Sequence, residues 1–521
     1  SLEFTGTEPF VQTAKGRASY LSRAAHVGQA LDAHAGKWGK TLDTFGRGLC
    51  FGEVSMLYCA PRFSTVVAKE RSVLWAIDRA SFQMVQMRAA EDEIKDRVKH
   101  LNGLTMLESF SKEDKEKLAG AMETMRLTQG EALVSQDELG STLYIMLKGS
   151  VVHQTEGQPE RTVDSDSATG NVHYVGVTAL MGNRQPSQES VKVASNTAVA
   201  LVMEREEFHK IWDRLMEARP SPAFSRYSTS VTKHDVDDQK HLFALKSMKN
   251  IGLIACGALG PIQLCQHKSS KQHYVLKSMS KGIIVQKGLR KSIMKERMLW
   301  VGVVSPFITR VFAAYNEPQS LCFLVEPALG GELSRAYERH NLYGSEKHAK
   351  FYVAGVVLAL EHLHKRRIVY RAVQPQNVLL DEHGHPKLSD MALAKLVAFG
   401  RTFTVCGTPT YMAPEILAGV GHTRAVDWWA VGVMAYELMS GCSPFESDHP
   451  MEVYSKVMRG FARLALPEAC RDGPVGDLVG SLLQQDPIDR LPMHHGGIKN
   501  VFEHPWFGDF EWASMRSLTM E

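Results

Sequence analysis

The stretch YRAVQPQNVLLD, residues 370–381, decides the fold. It is followed, in a fixed order, by SDMALAK (389–395), CGTPTYMAPE (406–415) and AVDWWAVGVMAYEL (425–438). The segment SDMALAK places Asp390 a short distance after Asn377. Carboxylate and amide oxygens are ligands that Mg²⁺ prefers. Any one of the segments could arise by chance. Their common order is the specific signal.

A glycine-containing turn and a lysine precede these segments. GLIACGALGPIQL (252–264) places Gly257 and Gly260 between two predicted strands, where backbone N–H groups can close over phosphates. The next strand-like run, YVLK, ends at Lys277, a cation for the α and β phosphates of a nucleotide. Glu296, in the helical stretch KSIMKERML, is its expected ion-pair partner. The whole series predicts a protein kinase fold, with a small sheet-based lobe before a larger helical lobe.

Composition excludes several other classes of protein. The chain has 521 residues, 44% of them hydrophobic and 22% charged, and a net charge of +3, which does not indicate a nucleic-acid or membrane partner. The longest apolar run, FYVAGVVLAL (351–360), is about half as long as a bilayer requires, so it predicts a buried helix and no transmembrane segment. Eight cysteines without a CxxC pair predict a cytoplasmic protein. Membrane association through sequence before residue 1 stays open, because the chain begins with SLEF rather than Met.

An internal repeat precedes the predicted kinase domain. Each copy combines strand-like runs with charged helices: STVVA, VLWAI and a helix over 78–100 in the first copy, and GEALVSQ, STLYIMLKGSVVHQ and VKVASNTAVALVM in the second. The predicted boundaries are 1–100 for an N-terminally incomplete first copy, 101–217 for the second, 218–240 for a Pro- and Ser-rich linker, 241–507 for the kinase domain and 508–521 for the start of a truncated C-terminal tail.

The chain resembles one kinase family in particular. The segments FLVEPALGGEL, RTFTVCGTPTYMAPE, AVDWWAVGV and HPWFGDFEWASMRSLT look like the AGC group of Ser/Thr kinases, and most like cGMP-dependent protein kinase. The resemblance covers essentially the whole chain, because that family carries tandem cyclic-nucleotide domains before its kinase domain. It implies a multidomain α+β protein, in which two β-barrel and helix domains that bind cyclic nucleotides are followed by a bilobal kinase domain.

The resemblance assigns an ATP site with Mg²⁺. The residues that it places at the nucleotide are Gly257, Gly260, Lys277, the hinge residues Glu326 and Ala328, and the metal ligands Asn377 and Asp390. Ala255 replaces the first glycine of the phosphate loop, and the D-F-G motif reads Asp390-Met391-Ala392, a mild departure. ATP binding is therefore expected.

Two catalytic residues of the family are replaced. Ala372 stands where an aspartate orients the substrate hydroxyl and accepts its proton, and Gln374 stands where a lysine neutralises the transferring phosphoryl group. Loss of a positioned general base costs about 10²–10⁴-fold in rate. Because the transition state of phosphoryl transfer is loose, positioning matters more than early proton removal, and some turnover can remain. The sequence predicts severely impaired phosphotransfer.

Residues 390–415, which follow the loop of Ala372 and Gln374, are called the activation segment below. This segment keeps most features of the family. The resemblance makes Thr404 a phosphorylation site with Arg371 as its partner. It also makes Glu332 and Glu437 the residues that recognise basic peptides, while Gln376 replaces a third acid. Glu415 and Arg490 are the expected buried ion pair of the large lobe, with a structural role.

The first repeat copy carries a cassette for cyclic phosphate, FGEVSMLYCAPRFSTV (51–66). Glu53 would accept the ribose 2′-hydroxyl, Arg62 would fork onto the phosphate, and N–H groups after Gly52 would cradle it. Family sites that prefer cGMP have threonine directly after the arginine, whereas this chain has Phe63. Ser64 and Thr65 are near, which favours cGMP only slightly over cAMP.

The second cassette, YVGVTALMGNRQPSQESVKVAS (174–195), has lost the ligands. Val177 replaces the glutamate, and the arginine position falls on Ser187 or Gln188. Burying a cyclic phosphate without a counter-charge is costly, so this barrel is predicted to relay conformation rather than to bind cyclic nucleotide.

Three functional hypotheses remain open from the sequence. The first is a cyclic-nucleotide-regulated kinase homologue that binds ATP but transfers phosphate poorly. The second is an active cGMP-dependent Ser/Thr kinase that tolerates Ala372. The third is a non-catalytic scaffold or sensor that only binds protein partners.

Overall fold

The structure is a computed structural model. It describes residues 2–5, 44–45, 65–68, 70–108, 110–155, 158–180, 186–209, 211, 243–397, 400–448, 450–463 and 473–520. The predicted linker 218–240 and most of the first cyclic-nucleotide cassette lie outside the described residues.

The described part of the first repeat copy ends in a long helix. The strands are Leu2–Thr5, Thr44–Phe45 and Thr65–Ala68, with the first of them in the middle of an antiparallel sheet. The helix Arg79–Leu101 follows, and its N-terminus is capped by the carboxylate of Asp78, which accepts the N–H of Ser81. The sequence prediction of a strand in VLWAI (73–77) is wrong, because this run pairs with no strand that the structure describes and Trp75 is 90% exposed.

The second copy is a seven-stranded antiparallel sheet next to a helix. Its helix is Lys112–Ala121, and its strands are Glu123–Thr128, Ala132–Val134, Thr142–Gln154, Arg161–Asp166, His173–Val175, Ser190–Val193 and Thr197–Glu204. The long strand Thr142–Gln154 pairs with four of the others. Gly149 of this strand has φ 103°, and a Cβ there would lie 2.7 Å from the Cβ of Ala198, so the position requires glycine. Residues 205–209 begin the predicted closing helix.

The small lobe that follows is a five-stranded antiparallel sheet with two helices. The strands, in their order across the sheet, are Met248–Gly257, Gly260–His267, His273–Ser280, Ser320–Val325 and Val311–Asn316, and the helices are Lys281–Gln286 and Arg290–Val301. This layout agrees with the predicted sheet-based lobe.

The large lobe is mainly helical. Its helices are Leu333–His340, Glu346–His364, Pro414–Ala418, Ala425–Ser440, Pro450–Arg459, Pro474–Leu482, Lys499–Phe502 and Trp512–Arg516. Short strands line its border with the small lobe: Gly331–Glu332, Ile368–Val369, Val378–Leu380, Pro386–Leu388 and Lys395–Leu396.

The core of the large lobe explains the apolar run in the sequence. FYVAGVVLAL lies in the helix Glu346–His364, which packs against Ala425–Ser440, and both helices are buried along most of their length. Over the residues that the structure describes, no helix combines the length and apolarity needed to span a membrane. The five described cysteines are free thiols.

Candidate active site

The cleft between the lobes brings three predicted residues together. Lys277 Nζ lies 3.5 Å from Glu296 Oε1 and 3.6 Å from Asp390 Oδ1. Glu296 is only 4% exposed, and burial raises the pKa of its carboxyl, while the charge of Lys277 opposes the rise. The strand His273–Ser280 and the helix Arg290–Val301 thus hold the predicted ion pair at the place where Asp390 enters the cleft.

Trp300, which the sequence reasoning missed, supports this lysine. Lys277 Nζ lies 5.6 Å from the centroid of the indole ring, and the indole N–H donates to the carbonyl of Thr309 at 2.6 Å. Glu296 and Trp300 are four residues apart on one helix, so the i, i+4 spacing was the available signal.

The phosphate-loop and hinge residues frame the same cleft. Gly257 and Gly260 face each other at the end of the first hairpin, and a Cβ on Gly260, at φ 153°, would meet the carbonyl oxygen of Ser278 at 2.5 Å. Glu326 follows the strand Ser320–Val325 directly, and its carboxylate pairs with Lys387 at 3.1 Å. The carbonyl of Ala328 accepts the N–H of Gly331 at 3.4 Å.

A buried aspartate fixes the loop that begins at Tyr370. The carboxylate of Asp427 accepts the N–H groups of Tyr370 and Arg371 at 2.9 and 2.7 Å, and it contacts Nε2 of His364 at 2.8 Å. Further along, Asn377 Nδ2 donates to the carbonyl of Ala372 at 2.8 Å. The loop backbone is therefore held from both sides, independently of the side chain at position 372.

Ala372 borders a cavity of about 240 Å³ that reaches under the activation segment. Among the described residues that line this cavity there is no aspartate or glutamate. Gln374, also in its wall, accepts a hydrogen bond from the hydroxyl of Thr408 at 2.6 Å. The loop thus presents a methyl group and an amide where a carboxylate and an ammonium group were expected from the family pattern.

The metal-side residues adopt a defined geometry. Asp390 has φ 56° and accepts the N–H of Ala392 at 3.0 Å, while Met391 is 1% exposed in the core. The N–H of Ser389 donates to the carbonyl of Asn377 at 2.9 Å, which links the two candidate metal ligands through their backbones.

Two cationic side chains and one neutral imidazole lie at the activation segment. Thr404 is exposed, and Arg371 Nη1 lies 3.5 Å from its carbonyl oxygen. Lys395 Nζ donates to the hydroxyl of buried Thr402 at 2.6 Å. Burial, together with the charges of Arg371 and Lys395, lowers the pKa of His422 to about 3, so this imidazole is neutral.

The two predicted peptide-recognition acids are far from equivalent. Glu332 is partly exposed and pairs with Arg335 at 3.3 Å. Glu437 is buried more deeply and accepts a hydrogen bond from the hydroxyl of Tyr411, and burial raises the pKa of its carboxyl. The predicted pair of Glu415 and Arg490 forms as a buried fork, with both N–O distances at 2.7 Å.

The second cassette is visible in part. Val177 begins the 3₁₀ helix Val177–Leu180. The hydroxyl of Ser187 donates to the carbonyl of Glu189 at 2.6 Å, while Gln188 is exposed. In the first cassette, Gly52, Glu53, Arg62 and Ser64 lie outside the described residues, and only the backbone of Thr65 is described, at the start of a strand.

The sequence reasoning missed a polar interface that the second barrel and the preceding helix Arg79–Leu101 form with the large lobe. Its ion pairs are Glu93 with Arg401 at 3.0 Å, Glu123 with Arg424 at 2.6 Å, Glu207 with Arg367 at 3.1 Å, and Arg126 with Asp489 at 3.0 Å. The N–H of Gly400, in the activation segment, donates to the carbonyl of Gly120 at 2.6 Å. No spacing rule could have found these pairs, because the members of each pair lie far apart in the sequence.

Comparisons with known proteins agree with this geometry. The sequence profile of the protein kinase domain matches residues 246–507, and that of the cyclic nucleotide-binding domain matches residues 29–88. The fold prediction is thereby confirmed as a cyclic nucleotide-binding domain followed by a protein kinase domain. The second profile covers the first cassette.

Full-length relatives give a finer assignment. The chain is 29% identical over 490 residues to cGMP-dependent protein kinase, isozyme 2 forms cD5/T2, of Drosophila melanogaster, which covers 93% of the chain and 51% of that protein. It is 30% identical over 496 residues to a cGMP-dependent protein kinase of Caenorhabditis briggsae (93% and 66%), and 27% identical over 510 residues to human cGMP-dependent protein kinase 2 (92% and 66%). The chain thus spans about half the length of the Drosophila relative. It belongs to the protein kinase family and, within it, to the family of cGMP-dependent protein kinases.

Proposed function

We propose that the chain is a cyclic-nucleotide-regulated member of this family whose kinase domain binds Mg·ATP and transfers the γ-phosphoryl group poorly. The observation that carries the proposal is the side chain of Ala372, a methyl group beside a cavity whose described lining contains no carboxylate. A methyl group neither accepts a proton nor orients a hydroxyl. Gln374, tied to Thr408, brings no positive charge to a transferring phosphoryl group.

The residues for ATP and Mg²⁺ suit their ligands. Lys277 lies between two carboxylates and would pair with phosphate oxygens, and the Gly257–Gly260 hairpin would bring N–H groups to them. Asp390 offers a half-exposed carboxylate, and Asn377, whose Nδ2 is used by the loop backbone, offers its amide oxygen. One carboxylate and one amide oxygen are ligands that Mg²⁺ accepts, and the ion would neutralise phosphate charge when bound.

Regulation is proposed to start at the first cassette. Glu53 and Arg62, with Gly52 and the nearby Ser64 and Thr65, would take cGMP or cAMP, with cGMP slightly favoured. The helix Arg79–Leu101 leads from this domain into the second barrel, and Glu93 on that helix pairs with Arg401 of the activation segment. A shift of this helix would therefore change the contact between Glu93 and the activation segment. This transmission does not require a second nucleotide site. The predicted cytoplasmic location and the predicted domain boundaries stay predictions.

A phosphotransfer assay on a basic Ser/Thr peptide tests the proposal. With cyclic nucleotide and Mg·ATP at saturation, the unaltered chain should be close to background, and the double variant Ala372→Asp/Gln374→Lys should be about 10²–10⁴-fold faster. The cavity next to residue 372 leaves room for the new carboxylate. The matched control is Ala372→Asn, because asparagine has the shape of aspartate but cannot accept the proton. This variant should stay slow.

The same assay separates the alternatives. Turnover of the unaltered chain at about 1–100 s⁻¹, typical of kinases, would make it an active enzyme and overturn the claim of impaired chemistry. Absence of Mg·ATP and cyclic-nucleotide binding by calorimetry would instead favour the scaffold hypothesis.

A further inference from the structure

The second barrel keeps a cavity of about 200 Å³ where its degenerate cassette returns to the sheet. Its wall includes the apolar side chains of Val134, Val175 and Val191, the ring of Tyr174, and three polar side chains, those of His153, Ser187 and Glu189. No lysine or arginine is among the described residues that line it. The cavity is therefore apolar with one acidic corner.

The acidic corner is built by a short hydrogen-bonded chain. His153 Nδ1 lies 3.0 Å from Glu189 Oε1, and His153 Nε2 lies 2.9 Å from Nε2 of His173. Because the ring nitrogens contact each other directly, they share one hydrogen and leave no space for an ion between them. Accordingly, no cluster of metal-ligating side chains occurs in the described parts of the chain.

Among the described residues that line the cavity, Glu189 carries the only carboxylate. Burial, together with the neighbouring His153, lowers the pKa of His173. A phosphate in this corner would lie beside the carboxylate of Glu189 with no lysine or arginine in the described lining to balance its charge. Glu189 Oε2 has no protein partner among the described residues, so it can accept a hydrogen bond from a ligand.

In the family pattern, the segment around Ser187 would carry the phosphate-binding arginine. Here this segment is held in place by hydrogen bonds to neighbouring backbone groups. The N–H of Ser187 donates to the carbonyl of Glu138, the carbonyl of Ser187 accepts the N–H of Asp137, and its hydroxyl bonds to the carbonyl of Glu189. These hydrogen bonds fix the backbone at Ser187. The charged side chain that reaches the cavity from this segment is therefore that of Glu189, which is not a cation.

We infer that this cavity is a binding site for a small organic cation, an amine with an apolar body, rather than for a cyclic nucleotide. The valines and Tyr174 contact the apolar body, and the carboxylate of Glu189 accepts a hydrogen bond from the ammonium group. The inference does not depend on whether the kinase domain is active.

The site is connected to the rest of the chain through Tyr174. Its hydroxyl donates to the carbonyl of His100 at 2.7 Å, near the end of the helix Arg79–Leu101. Gly103 lies against the same hydroxyl, since a Cβ there would approach it to 2.2 Å. A ligand that contacts the Tyr174 ring is thus one hydrogen bond away from the helix that carries Glu93.

Three probes of equal size and different charge test the inference on the full chain. Benzylamine is a cation at neutral pH, benzyl alcohol is neutral and benzoate is an anion. Ligand-observed NMR titration should give a dissociation constant of about 1 mM for benzylamine, a reasonable value for so few atoms. Benzyl alcohol should bind about tenfold more weakly, and benzoate should not bind detectably.

Variants locate the binding. Glu189→Gln should weaken benzylamine by about tenfold or more while leaving benzyl alcohol unchanged, because only the charge-assisted bond is lost. Glu138→Gln removes the same charge from a neighbouring exposed residue outside the cavity and should change nothing. Val134→Phe should fill the cavity and abolish binding of both probes. Benzoate binding as tight as that of benzylamine, no binding of any probe, or an unchanged benzylamine affinity in Glu189→Gln would each overturn the inference.

Discussion

Replacing Glu123 with glutamine should loosen the contact between the second barrel and the large lobe. Glu123 is the first residue of the strand Glu123–Thr128, and its two carboxylate oxygens lie 2.6 Å from Arg424 and 3.7 Å from Arg367. Arg367 keeps a second partner, Glu207, at 3.1 Å, whereas no other acid is paired with Arg424 among the described residues. The loss therefore falls mainly on the pair with Arg424.

The magnitude follows from the exposure of this pair. The side chains of Glu123 and Arg424 are 30% and 35% exposed. Fully exposed pairs contribute about 0.2–1 kcal/mol, and hydrogen bonds to charged groups about 1.5–3 kcal/mol. A pair between these limits contributes about 1–2 kcal/mol to docking, which is a factor of about 5–30 in the docking equilibrium.

Amide hydrogen exchange can measure this factor directly. The N–H of Gly400 is bonded to the carbonyl of Gly120 across the interface, so it exchanges only when the barrel moves away. In Glu123→Gln, exchange of the peptide around residue 400 should be about 5–30-fold faster. Glu116→Gln is the matched control, because the side chain of Glu116 is 40% exposed and its Lys112 partner is 4.0 Å away.

Two results would refute this reasoning. Exchange near residue 400 that is unaltered in Glu123→Gln would mean that the ion pair does not hold the barrel in place. An equal acceleration in Glu116→Gln would show a general effect of charge rather than a local contact. Arg424→Gln should reproduce the Glu123→Gln result, and the double variant should add little to it.

Other consequences of the structure can be measured separately. Glu415→Gln leaves the fully buried Arg490 without its counter-charge and should lower the free energy of unfolding by about 3–5 kcal/mol in a denaturant titration; a loss below 1 kcal/mol would contradict the buried pair. Because His422 has a pKa of about 3 in the folded chain and an ordinary value of 6.5 when unfolded, the unfolded state takes up the proton first as the pH falls below 6.5. Stability should therefore decrease by about 2 kcal/mol between pH 7 and pH 5, and His422→Gln should remove that part of the slope. Arg62→Ala should abolish cyclic-nucleotide binding in calorimetry while leaving Mg·ATP binding intact; retained binding would place the nucleotide elsewhere.

Much of the kinase part could be predicted because its signals are local. The alternation and glycines around residues 252–264 specify a hairpin, and the residues before and after Asn377 specify a loop between short strands. Helix caps such as Asp78 and Ser111 are also local, since each side chain accepts an N–H three residues ahead. The replacement of an aspartate by Ala372 needs no structure at all to be noticed.

The partners of charged side chains were decided by the tertiary structure. The sequence contains Glu123 and Arg424, but only the packing of the barrel on the large lobe brings them to 2.6 Å. The run VLWAI has the composition of a strand, yet it forms no ladder in the described part of the chain, because a strand also requires a neighbour. Likewise, the contact of His153 with Glu189, the acidic residue of the second cavity, depends on how two distant strands are registered.

The amino-acid order by itself determined the kinase architecture, the likeness to cGMP-dependent protein kinases and the alanine at position 372, since these rest on short-range backbone preferences and on residue identity. Only the three-dimensional packing decided that the second barrel contacts the activation segment and that the cavity of this barrel is acidic. Long-range ion pairs and cavities are properties of surfaces that meet after folding, and their free energies depend on distance and burial, which no spacing along the chain encodes.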